Sequence, residues 1–201
     1  HLNLQNDLRQ AIDRGELELF YQPKIDVRTR GMSGVEALVR WQHAGRGAVA
    51  SHELIAVAER FGLISTIGQW VLDQTCRQIR HWHAEGLTIP VAVNLSAHEV
   101  RQPELVERVT ATLQRHGISP SLITFEITES EAMEDTQATL RCFAQLARLG
   151  VGLSIDDFGT GHSSLAYLRT LPAKQVKIDR SFVADLGQRR DAVPVVEAVI
   201  R

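Results

Sequence analysis

The stretch Ser154-Ile155-Asp156-Asp157-Phe158-Gly159-Thr160-Gly161 follows the start of a short apolar strand, Val151 to Ile155, and places two adjacent carboxylates at its end. Neighbouring residues on a strand point to opposite faces, so both carboxylates reach one site only where the strand ends. The two glycines permit the sharp turn that this requires. Two carboxylates this close repel each other unless one is protonated or a cation bridges them. The alternative is an ordinary helix N-cap, a position that Asp fills well.

The second half of the chain alternates extended and helical segments. Predicted strands lie at 89–94, 122–128, 151–156 and 175–179, and predicted helices at 104–115, 136–149, 163–168 and from 191 onward. One strand and one helix together take about 30 residues or fewer, which is typical of parallel α/β architecture. The spacing leaves a closed barrel and an open doubly wound sheet as alternatives.

The first half is predicted to contain helices at 2–14, 51–61 and 66–85, with Ser51 as N-cap of the second, and extended runs at 16–24 and 32–41. About seven residues separate the two extended runs, whereas a parallel crossover needs about a dozen. The two strands are therefore predicted to form an antiparallel hairpin. A turn centred near residue 29 places Gln22 opposite Glu36, provided that no bulge intervenes.

The composition is that of an ordinary globular domain: 201 residues, 44% hydrophobic and 23% charged. A net charge of −2 and a pI near 6.5 provide no basic field, so we expect neither a nucleic-acid polymer nor a membrane surface as a partner of this domain. Cys76 and Cys142 lie on amphipathic helical stretches and are interpreted as reduced, structural residues. No run of about 18 apolar residues occurs. These features predict a cytoplasmic protein, or the cytoplasmic domain of a membrane-anchored one.

Five predicted strands, including the one that leads to Asp156, end on polar residues. These residues are Glu36, Asn94, Glu126, the Asp156–Asp157 pair, and Lys177 with Asp179. Parallel α/β folds bind ligands beyond the carboxyl ends of their strands. Singly, Glu36 or Glu126 is as well explained as a solvated strand end. Together these residues favour a shared site for a hard divalent cation such as Mg²⁺ or Mn²⁺, since oxygen ligands suit it and burying the charges without a cation is costly. The set contains no His or Cys, which argues against zinc.

The same residues carry a resemblance to a known family. Glu36-Ala37-Leu38-Val39-Arg40-Trp41 resembles the motif that names the EAL family of cyclic di-GMP phosphodiesterases. The resemblance continues, in order, through Asn94-Leu95-Ser96, Glu126-Ile127-Thr128-Glu129-Ser130, Asp156-Asp157-Phe158-Gly159-Thr160-Gly161 and Lys177-Ile178-Asp179-Arg180. It implies a TIM-like (β/α)8 barrel with an antiparallel first strand. It also implies hydrolysis of cyclic di-GMP to linear 5′-pGpG by in-line attack of a metal-activated water, with two Mg²⁺ or Mn²⁺ ions per site.

Metal and catalytic roles follow from this resemblance residue by residue. The ligands of one metal are matched by Glu36, Asn94, Glu126 and Asp156. Asp156 and Asp157 match the residues that hold the second metal. Lys177 matches the lysine that contacts the attacking water, and Asp179 lies two residues further along the same strand face. Glu129 resembles the loop glutamate that steadies the Asp-Asp loop, although an ordinary helix-flanking carboxylate would look the same.

Substrate-binding roles also follow from the resemblance. Arg40 matches an arginine that contacts a phosphate, for which a guanidinium is well suited. Gln22 and Leu38 match positions that line the substrate pocket. One departure is His162, which stands where the family usually has Tyr. The family's later Glu, within an Ala-Glu-Gly-Val-Glu strand, and a Gln-Gly pair on its last strand have no counterpart in this sequence.

The number of strands predicts an incomplete barrel. Six strands are counted, whereas an eight-stranded barrel usually needs about 250 residues. We therefore expect a linker helix at 1–15 and a phosphodiesterase domain at 16–201 that lacks strands 7 and 8, and a polypeptide that continues for about 50 residues. The resemblance leaves open a homodimer and an upstream sensory or diguanylate cyclase domain.

Two functions remain as alternatives at this point. The first is an active metal-dependent phosphodiesterase, and the second is a catalytically inactive receptor that binds cyclic di-GMP. Degenerate members of the family typically lose the glutamate of the naming motif, the Asp-Asp pair or the loop glutamate. This chain keeps all of them, as Glu36, Asp156, Asp157 and Glu129. The sequence therefore favours the enzyme.

Overall fold

A computed structural model describes residues 2–159, 167 and 169–184 of the chain. The strands are β1 (Leu17–Ile25), β2 (Met32–His43), β3 (Gly47–Val49), β4 (Val91–Asn94), β5 (Ile123–Thr128), β6 (Gly152–Phe158) and β7 (Gln175–Ile178). The helices are α1 (Leu2–Ala11), α2 (Ser51–Arg60), α3 (Ile64–Ala84), α4 (Ala97–Val100), α5 (Leu105–His116), α6 (Glu129–Glu134), α7 (Thr136–Leu149) and α8 (Arg180–Ala184), with a 3₁₀ turn at Pro120–Leu122. The predicted alternation of strands and helices is confirmed from β4 to β6, and β7 is present as a further strand.

The strands form one mostly parallel sheet in the order β1-β2-β4-β5-β6-β7, and the short β3 pairs with the far end of β2. β1 and β2 are antiparallel, as the short connection between them predicted. Gln22 lies opposite Glu36, because the one irregularity in the hairpin falls beyond it, between Lys24 and Ile25. Within the described residues β1 and β7 stand at the two edges, so the sheet is not closed.

The two faces of the sheet have different chemistry. On β2, β4, β5 and β6 most of the odd-numbered side chains are buried and apolar, and they form the core with the helices; examples are Trp41, Val93 and Phe125. Apart from Met32, Leu38 and Phe158, the even-numbered side chains on the opposite face are small or polar, and they include Glu126 and Asp156. This alternation is the two-residue period of a strand with helices packed on one side. The helices therefore leave the inner face of the sheet free for a polar site.

The first helix packs against the domain. Leu4, Leu8 and Ala11 of α1 are buried members of the core cluster. α1 ends at Ala11, earlier than the predicted 14, and Gly15 follows with a positive φ of 68°. The helix thus contributes one apolar stripe to the same core as α2 and β2.

Four short elements, β3, α4, α6 and α8, and the 3₁₀ turn were not predicted from the sequence. Of these, α4 and α6 each begin with a complete capping box. In α4 the side chain of Ser96 pairs reciprocally with Glu99, and in α6 Thr128 pairs with Glu131 in the same way. The Ser/Thr-x-x-Glu spacing that specifies such a box was present in the sequence and would have located both helices.

Ser51 does not have the predicted N-cap role. α2 has Ala50 at its N-cap, without a side-chain cap, and Ser51 is the first helical residue. Its hydroxyl instead donates to the carbonyl oxygen of Val39 at 3.1 Å and accepts from Arg40. The prediction was wrong by one position. The hydroxyl of Ser51 contacts Arg40 and Val39 of β2 instead of capping the helix.

The structure describes both cysteines and most of the predicted helices. Cys76 and Cys142 are buried free cysteines, and burial raises their pKa to about 12 and about 11. Both thiols therefore stay protonated at neutral pH and pack as small apolar groups. None of the helices in the described ranges is long and apolar enough to span a bilayer. The predicted helix from 191 onward, most of the one at 163–168, and His162 lie outside the described residues.

Candidate functional site

Three of the predicted ligands converge on the inner face of the sheet. Glu36 of β2, Glu126 of β5 and Asp156 of β6 each offer a carboxylate oxygen, and these oxygens lie within 4.8 Å of one another. The side chain of Glu126 is fully buried, and the other two retain slight exposure. Asn94, at the end of β4, donates its amide to Glu36 at 3.0 Å. Four neighbouring strands thus bring four predicted ligands to one place. We call the three carboxylates, Glu36, Glu126 and Asp156, the acidic cluster; Asn94 lies at its edge.

Lys177 of β7 holds the acidic cluster together. Its ammonium donates to Glu36 at 3.1 Å, to Glu126 at 2.7 Å and to Asp156 at 2.5 Å. Burial by itself lowers the pKa of Lys177, but the hydrogen bonds to Asp156 and Glu126 and the charge of Glu126 outweigh it, and the pKa is raised above its ordinary value. The ammonium therefore remains charged at neutral pH and acts as a donor rather than as a base.

A second lysine, which sequence reasoning missed, also reaches the acidic cluster. Lys24 of β1 donates to the second oxygen of Glu126 at 2.6 Å. A signal for it existed, because Lys24 lies two residues after Gln22 and therefore on the same strand face. What the sequence could not give was the reach of its side chain from β1 to β5. Three carboxylates and two ammonium groups leave these five side chains with a net charge of −1.

Glu129 fixes the loop that follows Asp156 and Asp157. It begins α6 directly after β5, is 2% exposed, and accepts from the backbone N–H of Gly159 at 2.6 Å. Gly159 has a φ of +100°, and a Cβ at this position would lie 2.6 Å from the ring of Phe182. Only glycine suits both the conformation and the close approach. A buried carboxylate thus anchors the turn that was expected to follow the strand.

Asp157 lies beside the acidic cluster rather than within it. It adopts a φ of +52°, and its N–H donates to a carboxylate oxygen of Asp156 at 2.8 Å. Burial, followed by the charges of Asp156 and Asp179, raises the pKa of Asp157. Of the described carboxylates, those of Glu36, Glu126 and Asp156 form the one group of three close enough to share an ion, and Asp157 is not among them.

Asp179 is placed differently from the expectation. Its carboxylate accepts from the N–H of Ser181 at 2.8 Å and from the hydroxyl of the same residue, at the start of α8. These hydrogen bonds lower the pKa of Asp179. The carboxylate therefore serves the helix end in this structure, and its influence on the site is the electrostatic one that it exerts on Asp157.

The predicted substrate-binding residues line two neighbouring pockets. Leu38 and Arg40 line a cavity of about 260 Å³ that Glu126 also borders. Arg40 donates to the carbonyl oxygen of Val39 at 3.1 Å and to the hydroxyl of Ser51, so its guanidinium is held at the rim of the cavity. Gln22 lines a wider pocket of about 510 Å³ together with Lys24, Glu36 and Lys177. The acidic cluster thus lies between the two pockets.

The acidic cluster fits a divalent cation. Its donors are carboxylate oxygens, from side chains that are buried or half-buried, with an amide at its edge. Hard divalent cations prefer such oxygen ligands, and a charged cluster in a largely apolar sheet needs compensating positive charge. The fold and the site together define an α/β protein with a mostly parallel sheet and an acidic cluster on its inner face; Glu36 lies within β2 rather than at the predicted strand end.

Comparison with known proteins identifies the family. The sequence model of the EAL domain family matches residues 5–201, so the chain belongs to the EAL domain family. A solved structure described as the PaMucR phosphodiesterase in complex with c-di-GMP superimposes with a TM-score of 0.92 and 47% sequence identity, covering 98% of this chain and 81% of that one. EAL structures are TIM-like barrels, which confirms the predicted fold class.

Two curated relatives come from Pseudomonas aeruginosa. The bifunctional diguanylate cyclase/cyclic di-GMP phosphodiesterase MucR is 47% identical over 203 residues, which cover 99% of this chain and 29% of MucR. The cyclic di-GMP phosphodiesterase NbdA is 38% identical over 200 residues, which cover 99% of this chain and 26% of NbdA. The chain therefore spans less than a third of the length of either relative.

Proposed function

We propose that this chain hydrolyses cyclic di-GMP to linear 5′-pGpG in a reaction that depends on a divalent metal. The observation that carries the proposal is the convergence of Glu36, Glu126 and Asp156 beside Lys177, between two pockets, in a member of the EAL family. Two relatives support it: NbdA is named as a cyclic di-GMP phosphodiesterase, and the phosphodiesterase of MucR was solved in complex with c-di-GMP.

The proposed cofactor is Mg²⁺ or Mn²⁺, with two ions per site. Glu36, Asn94, Glu126 and Asp156 would hold one ion, and Asp156 with Asp157 the other. When bound, such cations lower the pKa of water and stabilise negative charge on phosphoryl oxygens. The all-oxygen donor set supports this choice over zinc.

The side chains around the acidic cluster suggest how the substrate is held. Arg40 is proposed to bind a phosphate, since its guanidinium is fixed by Ser51 at the rim of the cavity that Leu38 lines. Gln22 would contact the substrate from the second pocket. Both pockets open beside the acidic cluster, so one extended ligand could occupy both while its phosphodiester lies between them.

Lys177 and Glu129 are proposed to have different roles, Lys177 at the attacking water and Glu129 in the loop that carries Asp156 and Asp157. The raised pKa of Lys177 suits an ammonium that donates a hydrogen bond to the attacking water and orients it for in-line displacement. It does not suit proton abstraction. Glu129 would keep the loop of Asp156 and Asp157 in place through Gly159. Asp179 remains a proposed member of the site, acting through its charge on Asp157.

The second candidate is a receptor that binds cyclic di-GMP without hydrolysing it. The observation that favours it is the ion pairing of all three clustered carboxylates with Lys177, which compensates their charge within the chain itself. The retention of every motif residue that degenerate members lose favours the enzyme instead. Cytoplasmic location, a homodimer and an accompanying diguanylate cyclase domain are further proposals, the last prompted by the name of MucR.

One incubation experiment distinguishes the phosphodiesterase from the receptor. The full chain is mixed with cyclic di-GMP, with and without Mg²⁺, and the nucleotides are separated by chromatography; Asp156→Asn serves as the matched control. Linear 5′-pGpG that forms only with Mg²⁺, and not with the variant, supports the phosphodiesterase. Tight binding without any product under both conditions supports the receptor and rules out the enzyme.

A further inference from the structure

Both oxygens of the buried Glu126 carboxylate are engaged by lysines that come from opposite edges of the sheet. Lys177 of β7 donates to one oxygen at 2.7 Å, and Lys24 of β1 donates to the other at 2.6 Å. The side chain of Glu126 has 0% exposure, whereas that of Lys24 is 30% exposed. Lys24 therefore reaches from a partly solvated position down to a carboxylate that water does not reach.

We propose that Lys24 is a positioning residue: it supplies a second internal counter-charge to Glu126, beside that of Lys177, and thereby limits the affinity of the acidic cluster for a divalent cation. The inference rests on the proposed metal site. By engaging one oxygen, Lys24 fixes the rotation of the carboxylate, and the other oxygen accepts from Lys177, which also contacts Glu36 and Asp156. Its positive charge also opposes any cation that binds there.

The strand register shows which side chains neighbour the contact between Lys24 and Glu126. Lys24 pairs with Gly34 across the hairpin, and Ala92, Thr124 and Gly152 on the next strands lie in register with Glu36. Barrel interiors are usually filled by bulky branched side chains. Here three positions in register with Glu36 carry small side chains, and Lys24 supplies a long side chain that reaches Glu126 on this face of the sheet.

Two glycines on these strands are kept small by the close approach of their neighbours. A Cβ on Gly34 would lie 2.8 Å from the carbonyl oxygen of Pro90, and a Cβ on Gly152 would lie 2.5 Å from the hydroxyl of Thr124. Neither position accepts a larger side chain without movement of its neighbour. Gly34, which pairs with Lys24, and Gly152 therefore stay small, and the ammonium of Lys24 has Glu126 as its partner.

Loss of the Lys24 charge should change two measurable quantities in opposite directions. A buried carboxylate that loses a partner destabilises the folded state, so the protein without divalent cation should melt at a lower temperature. The same loss makes the acidic cluster more negative, so a divalent cation should bind more tightly. A purely structural role for the Lys24 stem would lower the melting temperature without tightening cation binding.

The test compares three variants of the full chain by calorimetric titration with Mn²⁺ and by thermal melting in EDTA. Lys24→Met keeps the length of the stem and removes the charge, and Lys24→Arg keeps the charge. Lys174→Met is the matched control, because Lys174 is exposed and forms no ion pair within the described residues.

We expect Lys24→Met to bind Mn²⁺ about tenfold more tightly, a change that corresponds to about 1.4 kcal/mol, and to melt several degrees lower in EDTA. Lys24→Arg and Lys174→Met should stay within about threefold of the original Kd. An unchanged or weaker Kd for Lys24→Met overturns the inference while leaving the proposed function standing. If neither the original chain nor Lys24→Met binds Mn²⁺, the inference and the proposed metal dependence both fail.

Discussion

At the scale of single residues, the site divides into carboxylates that face one another and residues that hold them there. Glu36, Glu126 and Asp156 approach within 4.8 Å, whereas Glu129 contacts the backbone of the loop that follows Asp156. Substitutions in the two groups should therefore differ in severity. A change within the acidic cluster would remove a proposed metal ligand, and a change of Glu129 would loosen a loop.

The first prediction compares Asp156→Asn with Glu129→Ala. Asp156→Asn should lower turnover of cyclic di-GMP by about 10³-fold or more, since it removes charge at the reacting phosphate. Glu129→Ala should retain clearly more activity, because Gly159 loses an anchor but the acidic cluster keeps its charge. Glu129→Gln can still accept from Gly159 and should lie between Glu129→Ala and the original chain. Equal residual activity in Asp156→Asn and Glu129→Ala would show that the division of roles is wrong.

The second prediction concerns Arg40 and the serine that holds it. Arg40→Ala should raise KM about tenfold with little change in kcat, because a phosphate contact made in both ground and transition states affects binding alone. Ser51→Ala should shift KM in the same direction by a smaller factor, since the guanidinium loses one partner and keeps its charge. Steady-state kinetics decide the matter. A fall in kcat with unchanged KM would place Arg40 at the reacting centre instead.

At the scale of elements, the short helix α4 contains a buried charge with a consequence for stability. Glu99 is buried and accepts from the N–H and the hydroxyl of Ser96, and one of its oxygens occupies the position that a Cβ on Gly68 of α3 would fill. Burial raises the pKa of Glu99, and the hydrogen bonds from Ser96 only partly offset it. The ionised form is therefore less stable in the folded chain than in the unfolded one.

The third prediction follows from the sign of that shift. A carboxyl group whose folded pKa is raised contributes stability while it is protonated, and the contribution is lost as pH rises through the folded pKa. Glu99→Gln should therefore melt at a higher temperature than the original chain at about pH 8, and this difference in melting temperature should shrink toward about pH 4. Glu107→Gln, a change at an exposed position of α5, is the control and should show no such trend. A constant difference between Glu99→Gln and the original chain at all pH values would contradict the linkage.

The sequence predicted the elements that obey simple length and period rules. The hairpin and its Gln22–Glu36 register followed from a connection too short for a crossover, and the acidic cluster followed from polar residues at the ends of parallel strands. Ser51 was misplaced by one residue because N-cap and first-turn serines look alike in sequence. Lys24 was missed because its contact with Glu126 depends on the curvature of the sheet, which strand order does not specify.

At the scale of the whole molecule, two ion pairs show that the sheet is strongly curved. Strands in a sheet lie about 4.8 Å apart, so in a flat sheet β2 and β7 would be about 19 Å apart, and two side chains could not span that distance. Yet Lys177 of β7 lies 3.1 Å from Glu36 of β2, and Lys24 of β1 lies 2.6 Å from Glu126 of β5. The sheet is therefore curled around its polar face, as the barrel fold of the EAL family requires, although its edges are not joined within the described residues.

The central claim is that the acidic cluster binds a divalent metal on which hydrolysis of cyclic di-GMP depends. The most direct test titrates the full chain with Mn²⁺ and follows two quantities in the same samples: bound Mn²⁺, by electron paramagnetic resonance, and linear product, by chromatography. We predict no product in EDTA and a rate that rises in proportion to bound Mn²⁺ until both saturate together. Product formation in EDTA, or saturation with Mn²⁺ without any product, would contradict the account.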